Sequence, residues 1–175
     1  GAHLTVPAAT VMDAVADNVR ASIGANGLEF LQVWGPYPTV ISPDEEVRRR
    51  GVEGARDIAR LAARLGVPAS GMRPTSHNPR GDWWPHPENH SQASEDRLVR
   101  SIDEVLEVAV PVGVGIVLEK HATSTLDSAQ RVKRVIERTV TVDNTQISGS
   151  TLNFSDNFNS YSNEQDSALL DKWNL

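Results

Sequence analysis

The chain contains no cysteine, which excludes disulfides and thiolate metal sites alike. Aromatic residues are scarce, and no apolar run approaches the ~20 residues that a membrane-crossing helix needs. The charged-then-apolar opening of a signal peptide is also missing. Together with the lack of cysteine, this leads us to expect a cytoplasmic protein with no membrane partner. Basic charge is in short supply. A net charge of -6 argues against a nucleic-acid surface, since phosphate binding calls for a basic stripe. The basic cluster Arg48-Arg49-Arg50 is flanked by acidic residues and reads as a solvated helix face. Neither the glycine fingerprint of a dinucleotide fold nor a P-loop occurs, which argues against nucleotide binding.

What the chain does have is a repeated alternation. The stretch 8–23 carries an apolar stripe of Val11, Val15, Val19 and Ile23 at helical spacing, closed by Gly24 and Gly27. A strand pattern follows at 27–34, stopped by Gly35-Pro36. Ser42-Pro43-Asp44-Glu45 opens a helix with serine as the expected N-cap and acidic residues toward the macrodipole. That helix should run to Leu65, with Val52, Ala55, Ile58, Ala59 and Ala62 inward and Gly66 ending it. A strand candidate at 67–76, a polar loop at 77–90 and a helix at 94–110 come next. The run 112–121 reads VGVGIVLEKH, the near-continuous branched apolar pattern of a buried parallel strand. A helix at 128–138 and strand character at 140–143 complete the pattern. Strands alternating with helices specify an α/β fold whose repeated βα units form a parallel sheet, partial or truncated relative to a closed barrel. We assign residues 1–145 to this βα-repeat domain. Residues 146–175 form a polar, Ser/Asn-rich tail with a candidate short terminal helix around Leu169, Leu170 and Trp173.

Chemistry in open α/β sheets and barrels collects at the carboxyl ends of the strands. Three such ends present polar groups here: Arg73, Thr75 and His77; Glu119 and His121; and Thr141, Asp143 and Thr145. Glu119 and His121 share a face if the strand continues that far. Carboxylates from neighbouring strands can share a divalent ion, which would polarise a carbonyl or a pair of hydroxyls. The polar loop after the first of these ends carries Trp83 and Trp84 side by side, unusual in a chain so poor in aromatics. They are candidates to stack on a sugar ring as a lid, or to form a subunit contact. Trp34, at the end of another strand, is placed to wall the same pocket. His86 and His90 have no spacing partner that specifies a metal.

These residues resemble the xylose isomerase-like TIM barrels, the family of sugar phosphate isomerases and epimerases. The likeness is carried by GLEFLQVWGP at 27–36, by His77-Asn78, and above all by VLEKH ending at His121. It covers about 27–145. The resemblance implies a divalent metal (Mn, Mg, Co or Zn) held by Glu119 and by Asp143 of the next strand. It also implies proton transfer next to the carbonyl of a small sugar or polyol. On that basis Glu119 and His121 are the candidate catalytic residues, and His77, Trp34, Trp83 and Trp84 the candidate substrate contacts. The family completes its site with a later histidine and a last-strand glutamate. No histidine follows His121, and Glu164 sits in polar sequence. At 175 residues the chain is also shorter than the ~250 of a full barrel. It therefore reads as the N-terminal half to two-thirds of such a barrel, inactive if that short form is all there is. An open half-barrel exposes strand edges and would form a homo-oligomer, so a non-catalytic or engineered, chimeric half-barrel whose main property is self-association is the competing reading. A lyase or dehydratase on the same metal site is a third.

Overall fold

The computed structural model describes residues 13–72 and 76–139. They belong to one unit, which ends at Thr139. Asp143, the candidate strand at 140–143 and the tail at 146–175 lie outside the described residues. The elements are α1 (Asp13–Ala25), α2 (Glu45–Leu65), β1 (Ala69–Met72), α3 (Gln92–Ala109), β2 (Gly115–Leu118) and α4 (Ala129–Thr139), with a 3₁₀ turn at Pro87–His90. β1 and β2 pair in parallel, with Ala69 opposite Gly115 and Met72 opposite Leu118. The α/β pattern of helices alternating with parallel strands is the one read from sequence. No described helix is long and apolar enough to cross a membrane.

Helix α2 shows why local sequence sets its ends. Asp44, not Ser42, is the N-cap: its carboxylate accepts from the N–H groups of Glu46 and Val47 at 2.9 and 3.3 Å. An ionised cap makes the stronger, charge-assisted bonds, and the Ser42 hydroxyl is left to accept from the Asp44 N–H at 3.1 Å. Gly66 closes the helix with φ of 68°, a left-handed conformation that suits glycine. The expected inward face is as read, with Val52, Ala55, Ile58, Ala59 and Ala62 all buried.

Two further expectations need correction. Arg48 is 2% exposed rather than solvated. Its guanidinium donates to Glu45 at 2.6 and 3.0 Å, to Glu104 of α3 at 2.7 Å and to the Ser101 hydroxyl at 2.9 Å. Enough acceptors surround the buried charge to offset its desolvation. The Arg48 bond also holds the Glu45 carboxyl down to about 2. The second correction concerns 27–34, which reaches the sheet only through a parallel bridge between Val33 and Ser70. Its side-chain pattern suits a strand, but a strand also needs ladder partners, and β1 offers four residues. Val33 takes the carbonyl of Ala69 and the N–H of Gly71, while Leu28 and Leu31 remain exposed.

The core lies between the sheet and the helices. Met72 packs with Leu98, Ile102 and Val105 of α3 and Val132 and Val135 of α4, and Ile116 and Leu118 join from β2. The layers are tied by Glu95 of α3, 1% exposed, which accepts from Arg134 at 2.6 and 2.8 Å and from Arg138 at 3.0 Å.

Candidate active site

Because Met72, Ile116 and Leu118 pack toward the helices, pleat alternation turns Gly71, Val117 and Glu119 to the opposite face. The Glu119 N–H still donates to the Met72 carbonyl at 3.3 Å, so the ladder carries Glu119 just beyond the end of β2. Trp34 lies on this face: a methyl group on Gly71 would sit 2.1 Å from Cε2 of its indole. The missing side chain at Gly71 is what lets the ring lie flat against β1. Trp34 and Val117 are both 41% exposed, so the face is open.

The strand stops at Leu118, and His121 owes its place to a turn instead. Its N–H donates to the Leu126 carbonyl at 3.0 Å, and its carbonyl accepts from the N–H and hydroxyl of Ser124 at 3.0 and 2.9 Å. Trp83 meets the His121 imidazole edge to face, with centroids 4.7 Å apart and planes at 78°. Thus two residues expected at the site from separate strand ends do come together. Trp84 does not join them in that contact; the Arg80 guanidinium lies 3.6 Å above its ring.

His77 belongs to the same end of the sheet. Its Nε2 lies 2.7 Å from the Ser94 hydroxyl, which directs its own proton to the Glu88 carbonyl at 2.6 Å. Burial pushes the His77 pKa down, and the Arg97 charge pushes it further, so the neutral ring is favoured. The His86 ring is 5.6 Å away, where its Nδ1 caps the 3₁₀ turn by accepting from the Glu88 N–H.

The residue joining these loops, Asn89, was not singled out from sequence. It is fully buried. Its Oδ1 accepts from the His77 N–H at 2.9 Å, and its Nδ2 donates to the Ser76 hydroxyl at 2.8 Å and to the Thr123 carbonyl at 2.7 Å. Its carbonyl accepts from the Thr125 hydroxyl at 2.7 Å. One amide thus ties the loop after β1 to the loop after β2. The available signal was weak: an asparagine within a proline-started turn, where polar residues are ordinary.

For a metal, Glu119 supplies a carboxylate oxygen, the donor that a hard divalent ion prefers. Among the described residues it makes no other side-chain hydrogen bond or ion pair, so it fits as one ligand. No group of three or more His, Asp or Glu gathers among the described residues, and the expected second ligand, Asp143, lies outside them.

A family model described as xylose isomerase-like TIM barrel matches residues 3–163. No curated protein matches the sequence. Among solved structures, a xylose isomerase domain protein from Planctomyces limnophilus superposes with a TM-score of 0.58 at 21% identity, over 75% of this chain and 47% of that one. A xylose isomerase-like TIM barrel protein from Mycobacterium smegmatis, solved in complex with magnesium, gives 0.58 at 16% identity, over 77% and 45%. A D-allulose 3-epimerase from Methylomonas sp., in complex with D-allulose, gives 0.60 at 13% identity, over 77% and 46%. At these identities the likeness is one of fold. The chain spans about half the length of the structures it matches.

Proposed function

The chain belongs to the xylose isomerase-like TIM barrel family, and from that premise we propose that it is a metal-dependent sugar or sugar-phosphate isomerase or epimerase. The observation carrying this reading is the joined pair of loops at the carboxyl ends of β1 and β2. They present Glu119, His121, His77 and Trp83 where barrels of this class place their chemistry. Magnesium in one similar structure and D-allulose in another support the classes of cofactor and substrate.

In this reading Glu119 and Asp143 would hold a divalent ion, which when bound would supply polarisation of a substrate carbonyl and neighbouring hydroxyl. His77 and His121 contact the sugar oxygens. Trp34 and Trp83 offer ring faces and edges to its apolar C–H groups, and Trp84 extends that wall. Proton transfer next to the carbonyl then needs a base within hydrogen-bond reach, and Glu119 is the candidate, with His121 a hydrogen-bond partner of the sugar oxygens. The test is incubation of the full chain with Mn²⁺ and D-allulose in deuterated water. Deuterium entering the carbon next to the carbonyl, and lost in Glu119→Gln, supports the reading. Its absence across a panel of ketoses and ketose phosphates overturns it.

Self-association is the second reading, favoured by the exposure of Trp34 and Val117 on the open face of the sheet. A native mass measurement decides it: a monomer contradicts it.

A further inference from the structure

The turn after β2 determines which nitrogen of His121 faces a ligand. His121 Nδ1 lies 2.8 Å from the Thr123 hydroxyl and accepts from the Thr123 backbone N–H at 3.4 Å. A backbone N–H can only donate, so Nδ1 must carry a lone pair and the neutral ring keeps its proton on Nε2. The opposite tautomer would set two N–H groups against each other. The turn is held from both ends: Ser124 and Leu126 fix the His121 backbone, and Asn89 holds the Thr123 carbonyl at 2.7 Å. Trp83 fixes the tilt of the ring. No hydrogen-bond partner for Nε2 occurs among the described residues.

We infer that Thr123 is a positioning residue that fixes His121 as an Nε2–H donor, so that His121 gives a hydrogen bond to a ligand oxygen and does not ligate the metal. Nδ1 is covered by Thr123 and Nε2 holds a proton, so the neutral ring offers no lone pair to a cation.

The identity of the oxygen as a sugar oxygen rests on the proposed function, while the tautomer does not. The experiment is a long-range proton–nitrogen correlation spectrum of the ¹⁵N-labelled full chain at about pH 8, above the ordinary imidazole range, with His121→Gln to assign the signals. The expected result is a single Nε2–H species for His121. Thr123→Val and Thr123→Ser both keep the backbone N–H that faces Nδ1, so each should keep the Nε2–H form. Addition of Zn²⁺ should leave the Nε2–H signals in place. An Nδ1–H ring in the wild type or in Thr123→Val, or loss of Nε2–H on Zn²⁺ binding, would each overturn the inference. A chain that takes up no Zn²⁺ would count against the metal site of the proposed function, and the spectrum without metal would still decide the tautomer.

Discussion

Trp83 and His121 touch edge to face, 4.7 Å between centroids, although they come from loops that follow different strands. A third residue, Asn89, joins the two loops that carry them. Asn89 bonds the backbone of His77 on one side and of Thr123 on the other, and so holds the two loops at a fixed separation.

Removing that amide should loosen both loops. Asn89→Ala leaves buried donors and acceptors unpaired, and is expected to cost about 2–3 kcal/mol in denaturant unfolding. Asn89→Asp keeps the shape but cannot donate to the Thr123 carbonyl or the Ser76 hydroxyl, and should be destabilising as well. A variant within ~0.5 kcal/mol of wild type would remove Asn89 from its place as the link between the loops.

Gly71→Ala tests how Trp34 is seated. The new methyl would meet the indole at 2.1 Å, so the ring must lift from the sheet, at a cost of about 1–3 kcal/mol. Trp34→Ala in the same chain should relieve much of that cost, giving strongly non-additive energies in a double-mutant cycle. Additive energies would mean that the ring does not cover Gly71.

Glu95 is the buried acid that joins α3 to α4. Arg134 is half exposed and Arg138 a third exposed, so the loss on Glu95→Gln should fall below the 3–5 kcal/mol of a wholly buried pair, at about 2 kcal/mol. The hydrogen bond from Arg134, then that from Arg138, holds the Glu95 carboxyl below its ordinary 4.5. Its contribution is present above pH 4.5 and is lost as pH falls below that value. Urea unfolding of wild type and variant across that range checks both the size and the direction.

His77 works in the opposite sense to an ion-paired acid. Burial and the Arg97 charge lower its pKa below 6.5, so the unfolded chain binds the proton more readily than the folded one. Stability should be full above 6.5 and fall as pH drops from 6.5 through the lower folded value. His77→Gln retains a donor for Ser94 without a titrating ring. The difference between wild type and His77→Gln, followed by unfolding from about pH 7.5 to 5, should therefore shrink or reverse toward acid. A difference independent of pH would contradict the depressed value.

The helices and the alternation were readable in the sequence because helical burial is periodic: Val52, Ala55, Ile58, Ala59 and Ala62 stand on one stripe and are all buried. Gly66 and the acidic first turn of α2 were readable for equally local reasons. Arg48 was not, because its burial depends on Glu104 and Ser101 of another helix, a relation with no local spacing. The strand at 27–34 shortened to a single bridge because hydrogen-bond partners, unlike side-chain alternation, are not written in the strand itself. At the candidate site, Trp83 and His121 were picked out by residue type, while the means of joining them, Asn89 and Thr123, were not. Neither residue has a chemistry that stands out until the loops are folded.

The central claim is that the carboxylate of Glu119, on the open face at the end of β2, helps to hold a divalent ion. Titration of Mn²⁺ into the metal-free full chain, followed calorimetrically, tests it most directly. The account predicts saturable binding of one ion per chain in the wild type, lost in Glu119→Gln and in Asp143→Asn and retained in Trp83→Ala. Binding that is unchanged in Glu119→Gln, or no binding by the wild type, would contradict it.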